Sequence, residues 1–126
     1  MAKVLIVDDE ESYRDHLSRA VTREGHDVET AHNGRTAVEV AACFQPDVLI
    51  VDWMLKSSLN GLDVSNVLRR ANPNLLTIII SGYPLAEFAA LAERAGVFAC
   101  LDKPFDLDEI RDVVRRAAGL SHLHQG

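Results

Sequence analysis

The sequence predicts an α/β domain built on a parallel sheet, and three observations lead there. Four short runs, residues 4–7, 48–51, 75–80 and the weaker 97–101, are apolar nearly throughout instead of alternating. Runs of that kind suit strands covered on both faces. Segments with helical apolar spacing lie between them. The two kinds of segment alternate strictly, which implies crossovers that coat both faces of the sheet with helices. A length of 126 residues implies one domain, assigned to residues 1–120, with residues 121–126 as a flexible C-terminal tail.

The elements follow in order. After Val4-Leu5-Ile6-Val7, residues 10–24 place Tyr13, Leu17, Ala20 and Val21 on one helical face, and Gly25 supplies a stop. A weaker strand, residues 27–31, alternates Val28 and Ala31 with polar residues. Asn33-Gly34 opens a helix over 35–43 with Ala37, Val38, Val40 and Ala41. The run Val48-Leu49-Ile50-Val51 is rich in β-branched residues, which favours strand over buried helix. Residues 61–71 carry Leu62, Val64, Val67 and Leu68 and end at Asn72-Pro73. After the strand over 75–80, a helix over 84–95 starts with Pro84 in its first turn and stops at Gly96. The last strand precedes a helix over 107–118 that carries Leu107, Ile110, Val113, Val114 and Ala117 and ends before Gly119.

Composition narrows the function. Thirteen Lys and Arg stand against 19 Asp and Glu, a net charge of −6. That balance argues against a domain that binds nucleic acid or anionic lipid through bulk charge. Cys43 and Cys100 form no C-x-x-C pair, so a zinc cluster is not expected and a reducing, cytoplasmic compartment fits. No apolar run approaches the roughly 18 residues of a membrane span.

In open parallel sheets, ligands bind beyond the carboxyl ends of the strands. Asp8 and Asp9 follow the strand over 4–7, Asp52 the strand over 48–51, Ser81 and Gly82 the strand over 75–80, and Lys103 the strand over 97–101. Each alone could be turn or cap chemistry. Asp52 is harder to explain that way, because it lies between Val51 and Trp53-Met54-Leu55. Two carboxylates about 5 Å apart repel by roughly 3 kcal/mol at an effective dielectric near 20. A cluster of them calls for a hard divalent cation with oxygen ligands. Lys103 adds an ammonium suited to phosphate and Ser81 a hydroxyl donor. The set describes phosphoryl transfer, with a carboxylate able to act as nucleophile.

These residues carry a resemblance. From residue 3 to about 118 the chain resembles the receiver domain of bacterial two-component response regulators. The matching pieces are Val4-Leu5-Ile6-Val7-Asp8-Asp9-Glu10, Pro46-Asp47-Val48-Leu49-Ile50-Val51-Asp52, Asn60-Gly61-Leu62, Ile78-Ile79-Ile80-Ser81-Gly82 and Lys103-Pro104-Phe105, in the expected order and spacing. The resemblance implies a flavodoxin-like, doubly wound five-stranded parallel sheet of order 2-1-3-4-5 with five helices. It implies that Asp52 accepts a phosphoryl group from a phosphohistidine on a histidine kinase or histidine phosphotransfer protein. It implies Mg²⁺ (or Mn²⁺) held by Asp9, Asp52 and the backbone carbonyl of Met54, with Asp8 acting through water. Ser81 would swing toward the phosphoryl oxygens, Lys103 would pair with them, and the Lys103-Pro104 bond would be cis. Output would pass through the surface of the fourth helix, fifth strand and fifth helix, a surface that could also form a homodimer.

The sequence departs from the family pattern at named places. Cys100 stands where an aromatic residue usually rotates inward, with Phe98 or Tyr83 as candidate substitutes. Lys56 replaces the usual Pro, and Gly61 falls one residue later than usual after Asp52. Met54 and Tyr83 flank the acceptor where the family varies its dephosphorylation rate. A phosphorylation-independent interaction module therefore stays as the alternative. A dehalogenase-type hydrolase would want Asp at Met54, and an FMN-binding flavodoxin would not place Asp8-Asp9-Glu10-Glu11 in its phosphate loop. His122 and His124 are expected in a solvated tail.

Overall fold

The structure is a computed structural model that describes residues 2–55, 59–82 and 84–125, with the backbone alone for residues 85 and 122–125. Lys56, Ser57, Ser58, Tyr83 and the side chains of His122 and His124, singled out above, lie outside the described residues. Strands β1 (Lys3–Val7), β2 (Asp27–Ala31), β3 (Val48–Asp52), β4 (Leu76–Ser81) and β5 (Ala99–Asp102) are all parallel, in the order β2-β1-β3-β4-β5. Between them run α1 (Glu11–Arg23), α2 (Gly34–Phe44), α3 (Gly61–Ala71), α4 (Ala89–Arg94) and α5 (Leu107–Gln125). This is the flavodoxin-like topology that the resemblance implies.

The two-residue period of a strand sends alternate side chains to opposite faces. Ile6, Ile50, Ile78 and Ile80 meet Leu17 and Val21 of α1 and Ile110 and Val114 of α5. Leu5, Leu49, Val51 and Ile79 meet Ala37 of α2, Val64 and Leu68 of α3 and Ala92 of α4. Burial of each such Leu, Ile or Val contributes about 1.5–3 kcal/mol. This explains why the central runs lack alternation: both faces are core.

Local signals set the helix starts. The Asn33 side chain accepts the Thr36 amide at 2.8 Å and begins α2. Asn60 and Asp63 form a reciprocal capping box at the start of α3, with bonds of 2.8 and 3.0 Å. Gly25 and Gly96 adopt φ of 92° and 72°, the left-handed region in which glycine carries no steric penalty.

Three expectations need correction. The helix expected over 84–95 is broken: a 3₁₀ turn, Leu85–Glu87, precedes a six-residue α4. The cause is Phe88, whose backbone leaves helical geometry at φ −135° while its ring is buried. The helix expected to stop before Gly119 runs on to Gln125. Gly119 sits in open space, so it costs only its helix propensity, and Ala117 and Ser121 continue the buried stripe one turn apart. Phe98 packs on the α1–α5 face, whereas Cys100 packs on the α2–α3–α4 face. Phe98 therefore cannot stand in for an aromatic at Cys100.

Candidate functional site

Because the strands are parallel and in register, their carboxyl ends share one edge. Val7 pairs with Val51, Asp52 with Ile80, and Ser81 with Asp102. The next residues along the chain are Asp8 after β1 and Lys103 after β5. The edge therefore gathers Asp8, Asp52, Ser81 and Lys103 from four separate strands. They border an open cleft of about 540 Å³ lined by Asp9, Glu10, Asp52, Met54, Leu55, Gly82 and Lys103. A larger cavity of about 630 Å³ lies between α2 and α3 at the opposite end of the sheet, beside Pro46 and Asn72; among the described residues it holds no comparable cluster of acids.

Lys103 is the centre of the arrangement. Its Nζ lies 3.1 Å from Asp8 Oδ2, 3.2 Å from Asp52 Oδ2 and 3.6 Å from Glu10 Oε1, and its side chain is 8% exposed. A backbone bond holds it there: the Lys103 amide donates to the Ser81 carbonyl at 2.7 Å. The Lys103-Pro104 bond is cis, as the resemblance implies. Opposite it, Asp8 Oδ1 accepts the Glu10 amide at 2.9 Å, and the Asp8 carbonyl accepts Arg14 at 2.8 Å. The loop after Asp52 turns back at Gly61, whose amide donates to the Trp53 carbonyl at 3.0 Å. A Cβ at Gly61 would collide with the Asp52 carbonyl.

The electrostatics match this packing. Burial pushes the Asp52 carboxyl up to about 6; Lys103 opposes that rise and Asp8 adds to it. Burial also raises Asp8, against the amide of Glu10 and the charge of Lys103. Burial alone would lower the Lys103 ammonium, but Asp52 and Asp8 outweigh it and hold it above its ordinary value. In its ionised form a carboxylate placed like this is able to act as a nucleophile.

Asp8, Asp9, Glu10 and Asp52 each offer a carboxylate oxygen, all within 4.8 Å of one another. Hard oxygen donors at this density, with one ammonium bridging two of them, fit a divalent cation. The sequence-predicted Asp8, Asp9, Asp52 and Lys103 thus come together. Met54 reaches the cleft by its position two residues after Asp52, and its amide donates to Asp52 Oδ1 at 3.3 Å. Ser81 is buried at the end of β4, beneath Gly82. Cys100 lies outside the cleft; it is half-buried against the α2–α3–α4 core, and burial pushes its thiol up.

Sequence reasoning gave no role to Glu10, although the acidic run after β1 was the available signal. It also read Tyr13 as a core residue of α1. No periodicity marks the ring that the fold sets 4.1 Å from the Lys103 ammonium.

Among known protein families, residues 4–115 match the response regulator receiver domain. Regulatory protein AtoC of Escherichia coli is 36% identical over 130 residues, covering 98% of this chain and 28% of AtoC. Sporulation initiation phosphotransferase F of Bacillus subtilis is 29% identical over 114 residues, covering 90% of this chain and 91% of that protein. Among solved structures, NtrX from Brucella abortus superposes with a TM-score of 0.91 at 32% identity, over 98% of this chain and 28% of NtrX. A response regulator receiver domain protein from Clostridium thermocellum superposes with a TM-score of 0.88 at 26% identity, over 98% of both chains. The chain thus spans little more than a quarter of AtoC and of NtrX. With the acidic cleft, the bridging lysine and the parallel sheet already in place, the chain belongs to the response regulator receiver domain family, phosphoacceptor modules of two-component signalling rather than metabolic enzymes.

Proposed function

We propose that Asp52 takes a phosphoryl group from the phosphohistidine of a histidine kinase or a histidine phosphotransfer protein. A carboxylate oxygen of Asp52 attacks phosphorus and the P–N bond breaks. Its electron pair stays on the imidazole, which takes a proton from water. Lys103 then pairs with the phosphoryl oxygens, and the Ser81 hydroxyl swings toward them and donates a hydrogen bond. When bound, a divalent ion, Mg²⁺ or Mn²⁺, neutralises charge on the acids and on the transferring group. Asp9, Asp52 and the Met54 carbonyl would hold it directly, and Asp8 through water. One observation carries this reading: Lys103 Nζ bridges Asp8 and Asp52 at 3.1 and 3.2 Å inside a four-acid cluster.

The response passes to α4, β5 and α5 as a shift between two packings. Leu91 of α4 is exposed on that side, and the same surface would pair two copies. Cys100 is too small to serve as an aromatic rotor. The net charge of −6 disfavours direct nucleic-acid binding by this domain. Among the described residues, no helix is long and apolar enough to cross a membrane, and we place the domain in the cytoplasm. Incubation with Mg²⁺ and acetyl phosphate, read by intact mass, tests the acceptor. A phosphate adduct on the wild type and none on Asp52→Asn is the expected result. No adduct with this donor or with a cognate kinase would leave the phosphorylation-independent module as the better reading.

A further inference from the structure

The Lys103 ammonium carries three protons. In the fold it lies 3.1, 3.2 and 3.6 Å from carboxylate oxygens of Asp8, Asp52 and Glu10, and 4.1 Å from the centroid of the Tyr13 ring. That distance is well inside the range of a cation–π contact. The ring is itself held. Tyr13 lies in the first turn of α1, which Arg14 ties to the Asp8 carbonyl at 2.8 Å. Its other neighbour is Phe105, two residues beyond Lys103, at 5.9 Å between centroids and a 47° tilt. One aromatic pair thus joins α1 to the loop that carries the lysine.

We propose that Tyr13 is a positioning residue for phosphoryl transfer, acting through Lys103 by holding its ammonium at the rim of the acidic cleft. The inference rests on the reading of Asp52 as phosphoacceptor. A lysine is a point charge on a flexible four-carbon stem, so something must fix where the charge sits. A carboxylate in the place of Tyr13 would fix it too, but would add negative charge facing the incoming phosphoryl group. An aromatic face attracts the ammonium through its quadrupole and carries no net charge. The lysine side chain is only 8% exposed, and low dielectric strengthens every interaction the ammonium makes. The contact needs the ring and not the phenol hydroxyl, and this separates it from a hydrogen-bonding role.

The test compares Tyr13→Phe and Tyr13→Leu, each alone and combined with Lys103→Met, in the full chain. The rate of phosphate adduct formation is measured with Mg²⁺ and acetyl phosphate. Proton NMR follows the Lys103 ε-methylene, which a ring face shifts upfield. Tyr13→Phe is expected to keep both the rate and the upfield shift. Tyr13→Leu should lose the shift and slow adduct formation about 5- to 30-fold, the range between an exposed and a desolvated cation–π contact. In the Lys103→Met background, Tyr13→Leu should slow the reaction no further. The proposal is overturned if Tyr13→Leu reacts at the wild-type rate, if Tyr13→Phe is as slow as Tyr13→Leu, or if the two losses multiply in the double variant. An inert wild type would instead bring down the phosphoacceptor reading, and the positioning role with it.

Discussion

Trp53 stacks on Phe88 with ring centroids 4.5 Å apart and planes 11° apart. Trp53 follows Asp52 directly, and Phe88 is the residue at which the 3₁₀ turn gives way to α4. The stack therefore ties the backbone beside Asp52 to the start of α4. Phe88→Ala removes a ring that is 2% exposed and should cost about 3–4 kcal/mol of stability. Urea denaturation measures the loss, and Trp53 emission should change with it. A loss below about 1 kcal/mol would show that the stack is not a structural tie.

The pH dependence of Asp52 has a definite sign. Its carboxyl ordinarily titrates near 3.8 and in the fold is pushed up to about 6, chiefly by burial. A folded pKa above the unfolded one means that the folded state binds the proton more tightly. The stabilisation from that proton is complete below the unfolded value and is lost as pH rises through the folded value. With divalent ions chelated, stability should fall as pH rises across this interval. Asp52→Asn removes the titration and should be more stable than the wild type at pH 7, by about 1–3 kcal/mol. Thermal melts across that pH range decide it; a less stable Asp52→Asn would contradict the electrostatic picture.

Divalent cations should stabilise the fold. A ligand that binds only the native state adds about 2.7 kcal/mol at one hundred times its Kd. For a domain of this size that corresponds to a rise in Tm of about 10 °C. EDTA should reverse it, and Asp9→Asn should remove most of it. An unchanged Tm in millimolar Mg²⁺ would argue against a metal centre at the four acids.

Gly61 is required by shape rather than by backbone torsion. Its missing Cβ is what lets α3 start against the Asp52 carbonyl. Gly61→Ala should cost about 1–3 kcal/mol and slow phosphate incorporation, because relief of the clash displaces Asp52. Normal stability together with a normal adduct rate would show that the loop yields without cost.

The sequence carried much of this fold because its strongest signals are local. Val48–Val51 is apolar with no alternation because both faces are core, and Asn33-Gly34 marks the entry to α2. The site was legible for a related reason: parallel strands put Asp8, Asp52, Ser81 and Lys103 on one edge once the order of elements is known. What stayed hidden depends on contacts between distant segments. Nothing near Phe88 announces that its ring will sink against Trp53 and break the helix expected over 84–95. Gly119 looks like a stop until Ser121 is seen seated on the core. Tyr13 fits a core-facing position by spacing, and only the docked β5–α5 loop puts an ammonium against its ring.

Lys103 stands 95 residues from Asp8, the acid it bridges. During synthesis the ribosome therefore delivers all four acids long before the lysine that offsets them. Until β5 takes the sheet edge beside β4, the Lys103 ammonium cannot bridge Asp8 and Asp52, and a chain truncated ahead of Lys103 would hold its acids together without that bridge. The bridged cleft therefore forms only after β5 has docked.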